Sequence, residues 1–189
     1  MRSAIRKLLI KTFDEALRAR FPGFSRVKLP APLRSDGPVW EWKAAPGFAV
    51  YVQLSDRDHD DDFTVEVAWS MKGQWPAFTD TVCPAWLKPD DDEYRSRLPL
   101  LWDDSQYADR WWEIVPTLTR EQKRARDADR MAGRVSEFEE PPIEESSKRI
   151  KPLVDDAIAK FAEHAIPFFH SCAASRGVEW PLDQQPSST

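Results

Sequence analysis

Residues 39–70, VWEWKAAPGFAVYVQLSDRDHDDDFTVEVAWS, hold two runs whose alternation decides the fold. In the first, Phe48, Val50, Val52 and Leu54 alternate with Ala49, Tyr51 and Gln53. In the second, Phe63, Val65, Val67 and Trp69 alternate with Thr64, Glu66, Ala68 and Ser70. Successive side chains of a strand point to opposite faces, so period-two alternation marks a strand with one apolar face. Two such strands joined by the polar loop 55–62 predict an antiparallel hairpin, one face on a core and the other toward water. Val50, Val52, Val65 and Val67 are then core residues on one sheet face.

Working outward, residues 39–44 read as a preceding strand, closed by the Ala-Pro-Gly turn at 45–47. Trp40 and Trp42 share one of its faces. Residues 25–38 read as a proline-punctuated connector. Residues 71–93, broken by Pro76, Pro84 and Pro89, read as a cover flap with Trp75, Phe78 and Trp86 packed down on the sheet. Tyr94–Leu98 is a fourth strand with Tyr94, Ser96 and Leu98 inward.

The flanks are helical. Ile5, Leu8, Leu9, Phe13, Ala16, Leu17 and Phe21 recur at helical spacing over 3–21, with Ser3 as cap and Pro22-Gly23 as stop. Residues 119–134 predict a charged helix opened by a Thr119–Gln122 capping box and ended near Gly133. The segment 136–147, containing FEEPPIEE, reads as an acidic linker. Ile150, Leu153, Val154, Ala157, Ile158, Phe161 and Ala165 place a closing helix over 146–165, with Pro152 as a possible true start; Pro167 kinks or restarts it and Arg176-Gly177 ends it. The chain is therefore expected to be one α+β domain over 1–177. It has an antiparallel meander of about four strands, the N- and C-terminal helices on one face, and a loose tail over 178–189.

Composition narrows the function classes. The 189 residues are 41% hydrophobic and 31% charged, with nine Trp, six Gly and sixteen Pro. So few glycines leave no phosphate-cradling loop, and neither GxGxxG nor a Walker pattern occurs. Cys83 and Cys172 supply no disulfide framework and no metal spacing. No run approaches the roughly 18 apolar residues of a membrane span, so a reduced, cytoplasmic protein without a membrane partner is expected. The net charge is −5. Residues 1–34 carry nine basic residues against two acidic ones, a balance of +7, which leaves −12 for the rest. The basic leading helix is expected to complement its own acidic body.

The order helix, proline-glycine stop, Trp-rich strand, hairpin with FTVEVAW, WWEI and a closing helix with AIPFF resembles an uncharacterised bacterial family of small α+β proteins. The nearest is domain of unknown function 4304, and the resemblance spans most of residues 5–172. It implies an α+β fold and carries no activity or site residues; the charged helix at 119–134 stands outside it.

Asp56, Asp58 and Asp60 alternate like the opening of a calcium loop, but Asp61 stands where such a loop needs Gly and Val67 where it needs Glu. Asp58, Asp60, Asp61 and Asp62 are accordingly expected to form a solvated tip. Glu41-Trp42-Lys43 with Asp36 upstream has the D…ExK form of metal-dependent nucleases. The four residues between Asp36 and Glu41 are too few to bring Asp36 in from a neighbouring strand. His59, His164 and His170 are scattered, and Cys172 lacks a recognisable base. Trp111 and Trp112 cannot both face inward from an extended segment, so one is expected at the surface.

No catalytic set, metal site or cofactor follows from these patterns. The expected function is non-enzymatic protein binding by an acidic inhibitor of immunity or antitoxin type, with a basic protein as partner and nucleic acid disfavoured. Asp58, Asp60, Asp61, Asp62, Trp111 and Trp112 are its candidate binding residues. A metal-dependent nuclease and a domain with an aromatic small-ligand pocket are the alternatives.

Overall fold

The two alternating runs form the central strands of an antiparallel sheet. A computed structural model describes residues 1–29, 37–56, 61–76, 83–102 and 111–180. Strands β1 (Ser25–Val27), β2 (Val39–Ala45), β3 (Phe48–Asp56), β4 (Asp62–Ser70) and β5 (Glu93–Arg97) lie in sequential order. A sixth strand, β6 (Trp112–Glu113), pairs with the start of β4. The meander is as expected, with six strands rather than about four. The additions, β1 and β6, span three and two residues, too short to show a period.

Register follows from the turns. Gly47, at φ 76°, supplies the left-handed residue that lets Ala45 pair with Phe48 across the β2–β3 turn. Val50 then faces Trp69, Val52 faces Val67 and Leu54 faces Val65 across β3–β4. Upstream, Gly37 lies so close to β3 that a Cβ there would sit 1.8 Å from the Leu54 carbonyl oxygen.

The helices cover one face. Helix α1 (Ser3–Arg20) packs along α3 (Ile143–Lys160), and α3 continues through a π turn (Phe161–Ala165) into α4 (Ile166–Ala174). Ile5, Leu9, Phe13 and Leu17 from α1 meet Ile150, Val154, Phe161 and Phe169, and together they bury Trp40, Val50, Val52, Val65, Val67 and Trp69. Full burial of one such aliphatic or aromatic side chain contributes about 1.5–3 kcal/mol. This shared face commits the helices to one side of the sheet.

Several local expectations are revised. Ser3 is the first helical residue of α1 rather than its cap, and Arg2 occupies the cap position. Helix α3 begins at Ile143, so the acidic linker is shorter than 136–147; Pro142 stands at the cap, and Glu144 and Glu145 favour the positive end of the helix dipole. Pro152 lies inside α3. At the π turn the Ile166 N–H bonds Phe161 O, five residues back, and the helix restarts around Pro167. Helix α2 (Arg120–Met131) carries the expected Thr119–Gln122 capping box and buries none of its residues. The tail is anchored as far as Trp180, which is 7% exposed and packs on Trp42, Phe48 and Phe169.

The largest revision concerns the outer sheet face, expected to meet water. Every residue of β4 and the first seven of β3 are buried. Trp75 crosses this face edge-on to Tyr51, 5.8 Å between ring centroids, with Val39, Ala49 and Ala68 in the same cluster. The flap expectation therefore holds at Trp75; Phe78 lies outside the described residues.

Candidate functional site

Two of the predicted site sets meet at the beginning of β4. Asp58 and Asp60 lie outside the described residues. Asp61 and Asp62 are 8% and 0% exposed, which overturns the solvated-tip reading for them. The cause is the first turn of α1. The Arg2 backbone N–H and Nε donate to the Asp61 carboxylate at 2.8 and 2.5 Å, while its outer nitrogens reach Pro141 O and Ser146 Oγ, each at 2.7 Å. The Asp61 carbonyl in turn accepts from the N–H groups of Ile114 and Val115. Arg6 pairs with Asp56 at 3.1 Å, so the basic leading helix does complement its own body.

Across the β4–β6 ladder, Asp62 lies opposite Glu113 and Phe63 opposite Trp112. Trp112, 9% exposed, stacks on Phe63 at 5.5 Å and donates from Nε1 to Asp156 at 2.8 Å. It joins the sheet to α3 and is not a surface residue. Trp111 is half-buried, with the Arg97 guanidinium 5.7 Å from its ring centre. Of the predicted binding residues, Asp61, Asp62 and Trp112 thus lie in a buried junction of α1, β4, β6 and α3.

Of the D…ExK set, Glu41 and Lys43 are described. Glu41 accepts a 3.0 Å hydrogen bond from the Tyr51 hydroxyl and lies 3.8 Å from Lys43 Nζ. Burial first, and then the Glu41 charge, raise the Tyr51 hydroxyl well above its ordinary pKa. Asp36 lies outside the described residues. Beside Glu41 runs a closed polar chain: Gln53 Nε2 donates to Ser55 Oγ, Ser55 donates to Glu66, and Arg95 pairs with Glu66 at 2.5 Å while lying over Trp75. His59 lies outside the described residues, His164 packs against Trp102 and His170 stacks on Trp180. Cys172 is buried, and burial pushes its thiol up to about 11, the opposite of an activated nucleophile.

A feature that sequence reasoning misplaced is Trp86. It was expected under the flap, yet it is 58% exposed on a 3-10 turn (Pro84–Trp86). The chain continues through Asp90, Asp91 and Asp92 into β5, the last strand in the sheet order. The Arg176 guanidinium, 4.0 Å over the Trp69 ring, fixes this segment. It donates to Asp91 O at 3.0 and 2.7 Å, to Lys88 O at 3.5 Å and to Cys172 O at 3.1 Å. Lys88 N–H further bonds the Asp91 carboxylate, and Met71 N–H bonds Asp92 O. The outcome is an exposed indole just ahead of a clamped turn, followed by two exposed carboxylates, Asp90 and Asp92, the latter 3.3 Å from Lys72 Nζ. The PAW triplet held no periodic signal that would have shown it.

No protein-family model, curated protein or solved structure matches the chain.

Proposed function

We propose that this domain acts by binding a basic protein, as an acidic inhibitor of immunity or antitoxin type, and that the edge from Trp86 to Asp92 is the contact surface. The observation that carries this reading is Trp86: a 58%-exposed indole two residues before the segment whose Lys88 and Asp91 carbonyls Arg176 holds. Exposing a large aromatic to water is unfavourable, and rigid Trp residues are enriched among the side chains that dominate interfaces. Asp90 and Asp92 bias its partner toward positive charge. Asp61, Asp62 and Trp112 belong on this reading to the scaffold that supports the edge.

Affinity capture from the native cell extract at low and high salt tests the proposal. The expected partner is basic, released by salt, and bound at least tenfold more weakly by Trp86→Ala, the loss of a central hot spot of about 2 kcal/mol. Acidic or salt-indifferent partners, or full binding by Trp86→Ala, would overturn it.

A further inference from the structure

A crevice of about 470 Å³ opens where α2, the strand β6 exit and residues 138–140 meet the first turn of α1. It is large enough for a small organic molecule. Its lining combines apolar residues, among them Val115, Leu118 and Phe138, with charged ones, among them Lys123, Arg126 and Glu140.

Arg126 is the anomaly. Its side chain is 17% exposed, and its nearest carboxylate oxygens are those of Glu140 at 3.5 Å and Asp127 at 3.7 Å. The Nε–H is buried and has no hydrogen-bond partner among the described residues. A buried donor of a charged group left without an acceptor is costly, and guanidinium groups are satisfied best by a planar oxyanion offering paired acceptors. Two carboxylates at the crevice are already held by other arginines. Asp61 is held by Arg2, and Glu139 takes two hydrogen bonds from Arg130, at 2.9 and 2.6 Å.

We propose that this crevice is a binding site for a small organic monocarboxylate. Its carboxylate is received by the Arg126 guanidinium and its apolar body lies against Val115, Leu118 and Phe138. The site is separate from the Trp86 edge, and the failure of either proposal leaves the other standing.

Titration calorimetry of the full chain with phenylacetate, phenylacetamide and acetate tests it. Phenylacetate is expected to bind one to one. The neutral amide, which keeps the ring, and acetate, which lacks it, should each bind about tenfold more weakly or worse. Arg126→Gln should cost the same factor while the protein keeps a cooperative melt, since α2 contributes no residue to the buried core. In a parallel NMR titration, the Arg126 Nε–H signal should move at saturation with the carboxylates only. Equal binding of the amide, unimpaired binding by Arg126→Gln, an unmoved Nε–H signal, or no saturable binding of either carboxylate at millimolar concentration would each overturn the proposal.

Discussion

Val65 faces Leu54 across the β3–β4 ladder at 1% exposure, inside the cluster that α1 and α3 close. An aspartate there would bury an unpaired carboxylate, so Val65→Asp is expected to lose roughly 4 kcal/mol or more and to show no cooperative melt. Soluble, cooperatively melting Val65→Asp protein would refute the phase of β4. Gly37 is a second single-residue constraint of a different kind. The clash of an added Cβ with the Leu54 carbonyl, at 1.8 Å, is with backbone, and no side-chain rotation relieves it. Gly37→Ala should therefore lower stability by about 2 kcal/mol or more in a urea titration, despite the intrinsic advantage of alanine over glycine in the unfolded chain. An unchanged midpoint would mean that the β2 approach to β3 is more yielding than this spacing allows. The two positions also differ in legibility. The fate of Val65 is readable from its alternating neighbours, whereas nothing around Gly37 announces that Leu54 lies against it.

Elements obey the same distinction. Helix α1, the β2–β4 meander and the closing helix were legible because each repeats an apolar period over several turns or pleats. Strands β1 and β6 were not, since two or three residues hold no period. The burial of Asp61 was equally hidden: it depends on Arg2, 59 positions away, and on a turn that the alternating run does not reach. The segment after Trp86 is held by Arg176, just past the end of α4, gripping the carbonyls of Lys88 and Asp91. Loss of that grip in Arg176→Ala should leave the sheet folded and raise hydrogen exchange selectively at residues 88–92. Uniform exchange across the protein would show that the loop needs no such clamp. At the closing helix, His170 stacks on Trp180 at 4.4 Å, and burial holds its pKa below the ordinary 6.5. The unfolded chain consequently takes up the proton first as pH falls through about 6.5, so this contribution is present above that value and is lost below it. The melting temperature should drop between pH 7 and pH 5, and His170→Gln should flatten the drop. An equal decline in both proteins would place the acid sensitivity elsewhere.

On the scale of the whole molecule, the decisive property is where the negative charge remains available. Residues beyond 34 carry −12 once the +7 of residues 1–34 is removed from the net −5. That surplus is not uniformly free, because Arg2 and Arg6 consume Asp61 and Asp56, and Arg130 consumes Glu139. The self-complementing half of the charge pattern was readable from the sequence; which aspartates it would neutralise was a matter of tertiary geometry. Among the described Asp runs, Asp90 and Asp92 stay outward near the exposed indole, Asp92 sharing its charge with Lys72 at 3.3 Å while remaining 58% exposed. A field of this kind accelerates encounter with a basic partner and weakens as salt shortens the screening length, about 10 Å at 0.1 M. Neutralising Asp90 and Asp92 together, while keeping the Asp91 carboxylate that bonds Lys88 N–H, should lower the association rate more than it raises the dissociation rate. Trp86→Ala should do the reverse, since a desolvated aromatic anchor acts after encounter and is felt in dissociation. Measured by surface plasmon resonance on the captured partner, the double Asp→Asn variant should also lose part of the salt dependence of association, and Trp86→Ala should retain it. If instead both variants change only the dissociation rate, the carboxylates act as short-range contacts, and electrostatic steering has no part in recognition at this edge.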